Sequence, residues 1–256
     1  MLYNFEKTLL VILLSITFSC KNYNNENHYK NFAIVTAKYE ATKAGHKILK
    51  MGGNAFDAMI ATDLALSVVY PNAGNLGGGG FMVYRTSNSQ YGSIDYREKA
   101  PLLSSENMYL DKNGNIIKNL SREGSLSIGV PGTVSGLFEV YEKFGTLPLD
   151  SIFKPALELA KDGFKLTKKQ ADLFNSSKSK ILINSDSLSL FNKDFKKDMI
   201  FSNDKLYKTL KYLLKNGVEG FYDGDISKEI INYVSKKGGI LTKEDFLLYK
   251  PVWRKP

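Results

Sequence analysis

Strand-like stretches followed by helical ones, a run of glycines set against an apolar strand, and one helix apolar on almost every face predict an α+β or layered α/β fold for these 256 residues. Up to Pro101 short apolar stretches alternate with two helical segments, and beyond it the pattern is mostly helical. With 43% hydrophobic and 24% charged residues, the chain can bury the core of one large domain.

The first predicted strand is "FAIVTA", residues 32–37. A helix follows in "YEATKAGHKILKMGG", with apolar positions at Ala41, Ala44, Ile48 and Leu49 and a stop at Gly52 and Gly53. Asn54 is placed to cap the next helix, "AFDAMIATDLALSVVY", which should be buried because its surface is apolar nearly all round. After the glycine run, "FMVYRT" and "YGSIDYRE" read as a β-hairpin turned by "SNSQ". Further helices are predicted in "PGTVSGLFEVYEKFG", "LPLDSIFKPALELAKDGF", "DKLYKTLKYLLKNG", "DISKEIINYVSKKGG" and "TKEDFLLYK".

The N-terminus carries Lys7, an apolar run from Leu9 to Phe18, then Ser19 and Cys20. That run is shorter than the ~20 apolar residues needed to span a bilayer but suits a secretory signal. The expected product is exported, to the periplasm or the cell surface. Cys20 sits where a bacterial lipoprotein signal has its lipidated cysteine, so residues 1–20 read as a signal, 21–31 as a polar Asn-rich tether and 32–256 as the folded part. A lipidated Cys20 would hold the protein on a membrane surface. As the only cysteine, Cys20 leaves no intramolecular disulfide and no thiolate cluster for a metal. The formal net charge is +9, but the lysines are spread through helical stretches among acids and no nucleic-acid-binding module accompanies them, so nucleic acid is not an expected partner.

The glycine run Gly77, Gly78, Gly79 and Gly80 must admit either unusual backbone angles or a close neighbour, since glycine otherwise destabilises a fold. Phosphate binding is excluded by spacing. No choice of first glycine gives G-x-G-x-x-G, and Gly79, five after Gly74, is followed by Gly80 and Phe81 where a triphosphate loop needs Lys and a hydroxyl. A strand follows the run, so no helix N-terminus is aimed at an anion.

Other chemistries lack their residues. The histidines are His28, in the tether, and His46, within a helix where a surface or interface role is the plainer reading, and G-x-S-x-G is absent. No metal-ligand set and no cofactor motif is present. Asp57 and Asp63 lie six apart on one helix and do not share a face, and Asp57 suits the helix start through the dipole. What remains is "DYREKAP", residues 95–101, in which Arg97 stands at the end of a hairpin strand between Asp95 and Glu98. A guanidinium matches a substrate carboxylate bidentately, although an arginine beside two acids also reads as a local ion pair.

Taken together, "VTAKYEATKAGHKILKMGGNAFDAMIATDLALSVVYPNAGNLGGGGFMVYR", "IDYREKAP", "GVPGTVSGLFEVYEKFGTLPL", "ALELAKDGF" and "GGILTKEDFLLYKPVWRKP" resemble, in order, the motifs of the γ-glutamyltransferase (γ-glutamyl transpeptidase) family. The resemblance covers nearly all of residues 32–256 and corresponds to the N-terminal part of that family's large subunit. It implies the N-terminal-nucleophile hydrolase fold, a four-layer αββα sandwich, incomplete in this chain. It also implies the chemistry. A threonine freed at the start of a small subunit attacks the γ-amide carbonyl of glutathione or a related donor, its own α-amine acting as base, and forms a γ-glutamyl ester. Water, an amino acid or a peptide then accepts the acyl group. On this resemblance Arg97 binds the donor α-carboxylate, while Gly77 to Gly80 are structural, letting the backbone pack closely beside the site.

No threonine here stands in a Thr-Thr pair or within two positions before a histidine, so the resemblance implies that the nucleophile and the small subunit are missing from these residues and that they are inactive alone. Two alternatives stay open: a non-catalytic exported lipoprotein using the fragment as a binding module, and a related acylase in which Arg97 meets a different carboxylate.

Overall fold

Two helices joined by a tight glycine turn start the folded part. The computed structural model describes residues 31–185 and 190–256; Cys20 and the signal and tether assigned up to residue 30 lie outside the described residues. Helix α1 (Tyr39–Lys50) buries Ala41, Ala44, Gly45 and Ile48, the i, i+3, i+4, i+7 stripe of an amphipathic helix. It ends at Gly52, whose φ of +89° few residues other than glycine adopt. Asn54 then caps helix α2 (Ala55–Val69), its side-chain oxygen accepting the amides of Phe56 and Asp57 at 2.8 and 2.9 Å. Asp57 returns the contact by accepting the Asn54 amide at 3.0 Å, closing a capping box.

As its composition requires, α2 is buried around most of its circumference. Helix α1 lies along it, and helices α3 (Thr133–Phe144) and α4 (Leu149–Asp162) pack on other sides. The α1–α2 contact is close because Gly45 has no side chain; a Cβ there would strike Ile34 and the Thr62 hydroxyl.

The sheet is small and one-sided. Strands β1 (Phe81–Arg85) and β2 (Tyr91–Asp95) form the expected hairpin, with Phe81 opposite Asp95 and Arg85 opposite Tyr91. Strand β5 (Val252–Arg254) pairs with the far side of β2, giving the order β1-β2-β5. Alternation sends Met82, Tyr84, Ile94 and Trp253 towards the helices. There the Tyr84 ring meets Phe56 of α2, Phe144 of α3 and Trp253, with centroids 5.7, 5.0 and 6.1 Å away, and the Trp253 indole donates to Glu139 at 3.2 Å. The opposite face carries Phe81, Val83, Tyr91 and Val252, all exposed. A helix layer against a sheet whose other face is bare is an α layer and a β layer of an αββα sandwich, incomplete among the described residues.

Residues 96–132 are mostly turns and irregular backbone with a 3-10 turn at Ser125–Ser127, and the later described residues are mainly helical with one short ladder. Strands β3 (Phe164–Lys165) and β4 (Ile200–Phe201) pair antiparallel, and Phe164 and Phe201 join Phe174 and Phe195 in an aromatic cluster. Helices α5 (Lys168–Asn184), α6 (Asp204–Tyr222, bent at Gly217), α7 (Asp225–Lys236) and α8 (Lys243–Leu247) complete it. Among the described residues no helix is long and apolar enough to cross a membrane.

Several elements differ from the sequence expectation, among them the β3–β4 ladder, whose Phe164 falls in a stretch that reads as helix. The stretch 32–37 is not a strand: from Ile34 to Ala37 it runs outside any ladder, with Val35 91% exposed, because strand-like composition forms a strand only beside a partner. Helix α5 carried little apolar signal, since among its buried residues are only Gln170, Ala171 and Phe174. Strand β5 has three residues and exists through its pairing with β2.

Candidate substrate carboxylate site

Arg97 lies two residues beyond the end of β2, so strand alternation sends it to the same bare side of the sheet as Asp95 while Tyr96 between them turns into the helix layer. Its backbone is held from both sides. The Arg97 amide donates to Asp95 Oδ1 at 3.0 Å, and the Tyr249 hydroxyl donates to the Arg97 carbonyl at 2.9 Å. Its side chain is 64% exposed, and among the described residues its ion-pair partner is Glu98, whose Oε2 lies 3.3 Å from Nε.

The two neighbouring acids therefore divide their roles. Glu98 is the local partner of the guanidinium. Asp95 instead takes Arg254 of β5, which donates from Nε and from a terminal nitrogen to Oδ2 at 3.0 and 2.9 Å. The Arg97 amide, followed by Arg254, holds the Asp95 carboxyl below its usual range, so Asp95 is a fixed negative charge at neutral pH.

The glycine run serves this backbone by close approach. Gly80 exchanges amide and carbonyl with Tyr96, at 3.2 and 2.9 Å. A Cβ on Gly79 would lie 2.5 Å from the Tyr96 carbonyl and 2.7 Å from the Glu98 amide, and one on Gly80 would lie 2.9 Å from the Tyr96 ring. Gly77 and Gly78 are freer, since their Cβ atoms would meet only Asn75, at 3.4 and 3.3 Å. Gly78 contributes through its carbonyl, which accepts the Gly132 and Thr133 amides at 2.7 and 3.0 Å and satisfies two donors at the α3 start. Gly132 is itself required, because a Cβ would strike the Tyr96 carbonyl and the Tyr249 hydroxyl.

Other sequence candidates are not brought here. Asp57 is spent on the α2 cap and on Thr146. Asp63 lies on α2; burial first, and then the Asp63 charge, raise the Tyr96 phenol, and the Asp63 carboxyl is itself pushed up to about 6 by burial. His46 is half-buried on α1. Among the described residues no group of three or more His, Cys, Asp or Glu side chains is placed to hold a metal ion. Sequence reasoning missed Tyr249, Arg254 and Gly132. All three stand in motifs already singled out, but nothing local tells that they meet Arg97.

A helix layer, a sheet bare on its far face and an exposed arginine just past the end of β2 are what part of a layered αββα fold contains. Comparison makes this specific. The family described as Gamma-glutamyltranspeptidase matches residues 41–256, and the chain belongs to that family. It is 39% identical over 269 residues to a glutathione hydrolase proenzyme of Pseudomonas sp. (strain A14), covering 96% of this chain and 44% of the relative. It is 40% identical over 231 residues to the glutathione hydrolase proenzyme of Escherichia coli (strain K12), covering 89% of this chain and 40% of the relative. Among solved structures, the Helicobacter pylori gamma-glutamyltranspeptidase superimposes with a TM-score of 0.86 at 40% identity, over 89% of this chain and 66% of that one. The chain thus spans less than half the length of these two curated relatives.

Proposed function

We propose that this chain is the donor-binding part of a γ-glutamyltransferase or glutathione hydrolase, corresponding to the N-terminal part of the large subunit, and that Arg97 binds the α-carboxylate of glutathione or another γ-glutamyl compound. The observation that carries this reading is the exposed Arg97 guanidinium on the bare sheet face, with its backbone held by Asp95 and Tyr249. A planar fork of donors fits a carboxylate bidentately, and the contact gains strength once water is excluded.

The remaining parts come from outside these residues. A small subunit packs a second sheet over Phe81, Val83 and Val252, drying the space around Arg97, and brings the nucleophilic threonine. Arg97 orients the donor so that its γ-amide meets that threonine, and water, an amino acid or a peptide accepts the acyl group. Gly79 and Gly80 keep the backbone beneath the site compact and do not serve as oxyanion donors. Export and lipidation at Cys20 place the assembly on a membrane surface facing the periplasm or the cell exterior.

The test is hydrolysis of a γ-glutamyl anilide by the full chain alone and by the chain co-expressed with the C-terminal portion of the Escherichia coli relative. The chain alone is expected to be inactive and the assembly active. In the assembly, Arg97→Ala should lower donor kcat/KM by roughly a hundredfold or more, about 2–4 kcal/mol. Arg97→Lys should also be poor, because an ammonium does not reproduce the fork. Turnover by the lone chain, or an Arg97→Ala assembly within twofold of the parent, would overturn the reading.

A further inference from the structure

Arg97 stands just past the end of β2, on a chain that is about to leave the sheet. A long side chain there reaches a defined point only if its backbone is fixed, and both fixing contacts trace back to one distant stretch. Tyr249, directly after α8, donates its hydroxyl to the Arg97 carbonyl at 2.9 Å. Arg254, on β5, holds Asp95, which in turn holds the Arg97 amide. Tyr249 is itself braced, with its ring stacked on Tyr222 at 5.6 Å and 12°. Tyr222 is anchored by donating to the Pro131 carbonyl at 2.8 Å. Lys99 lies 5.0 Å above the Tyr249 ring and donates to the Lys250 carbonyl at 2.8 Å.

We infer that Tyr249 and Arg254 are positioning residues that set donor affinity by fixing Arg97, Tyr249 directly and Arg254 through Asp95. The inference rests on the reading of Arg97 as the clamp for the donor carboxylate. Bidentate recognition is the case most sensitive to such support, since displacing a positioned group by about 1 Å can cost roughly a hundredfold in rate. The contacts also predict which replacements are tolerated. Tyr249→Phe keeps the stack on Tyr222 and removes only the hydrogen bond. Both Arg254 nitrogens converge on one oxygen, Asp95 Oδ2, so an ammonium at that position can replace much of the contact.

The test has one arm in the assembled enzyme and one on the chain itself. In the assembly, Tyr249→Phe and Arg254→Gln should each raise donor KM about tenfold with kcat within about twofold, and Arg254→Lys should recover to within about threefold of the parent. If Arg97→Ala lowers donor kcat/KM while Tyr249→Phe and Arg254→Gln leave it unchanged, the positioning inference falls and the reading of Arg97 stands. If Arg97→Ala also leaves donor kcat/KM within twofold of the parent, the reading of Arg97 falls and takes this inference with it. For the chain itself, arginine-selective nitrogen labelling gives four Nε–H resonances, one for each of Arg85, Arg97, Arg122 and Arg254. The Arg97 signal is identified by its loss in Arg97→Lys. It should move towards the position of free arginine in Tyr249→Phe while the melting temperature is held. An Arg97 signal that does not move, or that already lies at the free position in the parent chain, overturns the inference whatever the assembly does.

Discussion

Asp57 reaches across 89 residues to Thr146, accepting its amide at 3.0 Å and its hydroxyl at 2.5 Å. With the Asn54 amide as a third donor, a fully buried carboxylate is satisfied by the start of α2 and by the turn between α3 and α4 at once. Asn54 reinforces the same joint by donating to the Phe144 carbonyl at 2.6 Å. Asp57→Ala strands these buried donors and removes the capping box, so it should destabilise the chain by on the order of 3–4 kcal/mol. Urea unfolding measures it; a loss below about 1 kcal/mol would show that water replaces the carboxylate.

Asp63 should make stability fall as pH rises. Its carboxyl is raised from 3.8 to about 6 in the folded protein, so the folded state holds a proton that the unfolded chain releases earlier. The favourable contribution is complete below about pH 4 and is lost between there and about 6. Asp63→Asn should therefore raise stability at pH 7.5, by up to about 3 kcal/mol, and change little at pH 4. Melting curves of parent and variant at the two pH values decide it, and an equal difference at both would refute the assignment.

The glycine run should divide under substitution. Gly79→Ala places a Cβ 2.5 Å from the Tyr96 carbonyl and 2.7 Å from the Glu98 amide, both backbone atoms that cannot simply rotate away, and a cost of about 2–4 kcal/mol is expected. Gly77→Ala meets only the Asn75 side chain at 3.4 Å and its φ is not positive, so it should fall within about 0.5 kcal/mol of the parent. Equal losses at the two positions, measured by urea unfolding, would rule out close approach as the reason for the run.

Lipidation at Cys20 predicts that a radioactive fatty acid fed to expressing bacteria labels the parent chain and not Cys20→Ser. The variant should also leave the membrane fraction. Equal labelling of both would exclude an anchor at this residue.

What the sequence determined by itself was local. Asn54 before an apolar helix, Gly52 and Gly53 after an amphipathic one, and alternation on either side of "SNSQ" each act over a turn or a residue pair, so α1, α2, the cap and the β1–β2 hairpin were legible without any fold. Arg97 could be chosen because its motif is contiguous. What only the tertiary structure decided joins residues distant in the chain. Tyr249 meets Arg97 over 152 positions and Arg254 meets Asp95 over 159, and no propensity or period encodes such a pairing. Strand β5 is a strand because β2 offers it a ladder, whereas Ile34 to Ala37, despite apolar composition, stand in no ladder among the described residues. The same holds within the run of four glycines. Gly79 and Gly80 cannot carry a side chain because Tyr96 and Glu98 lie against them, while Gly77 is bounded by Asn75 alone, a distinction made by the neighbour rather than by the residue.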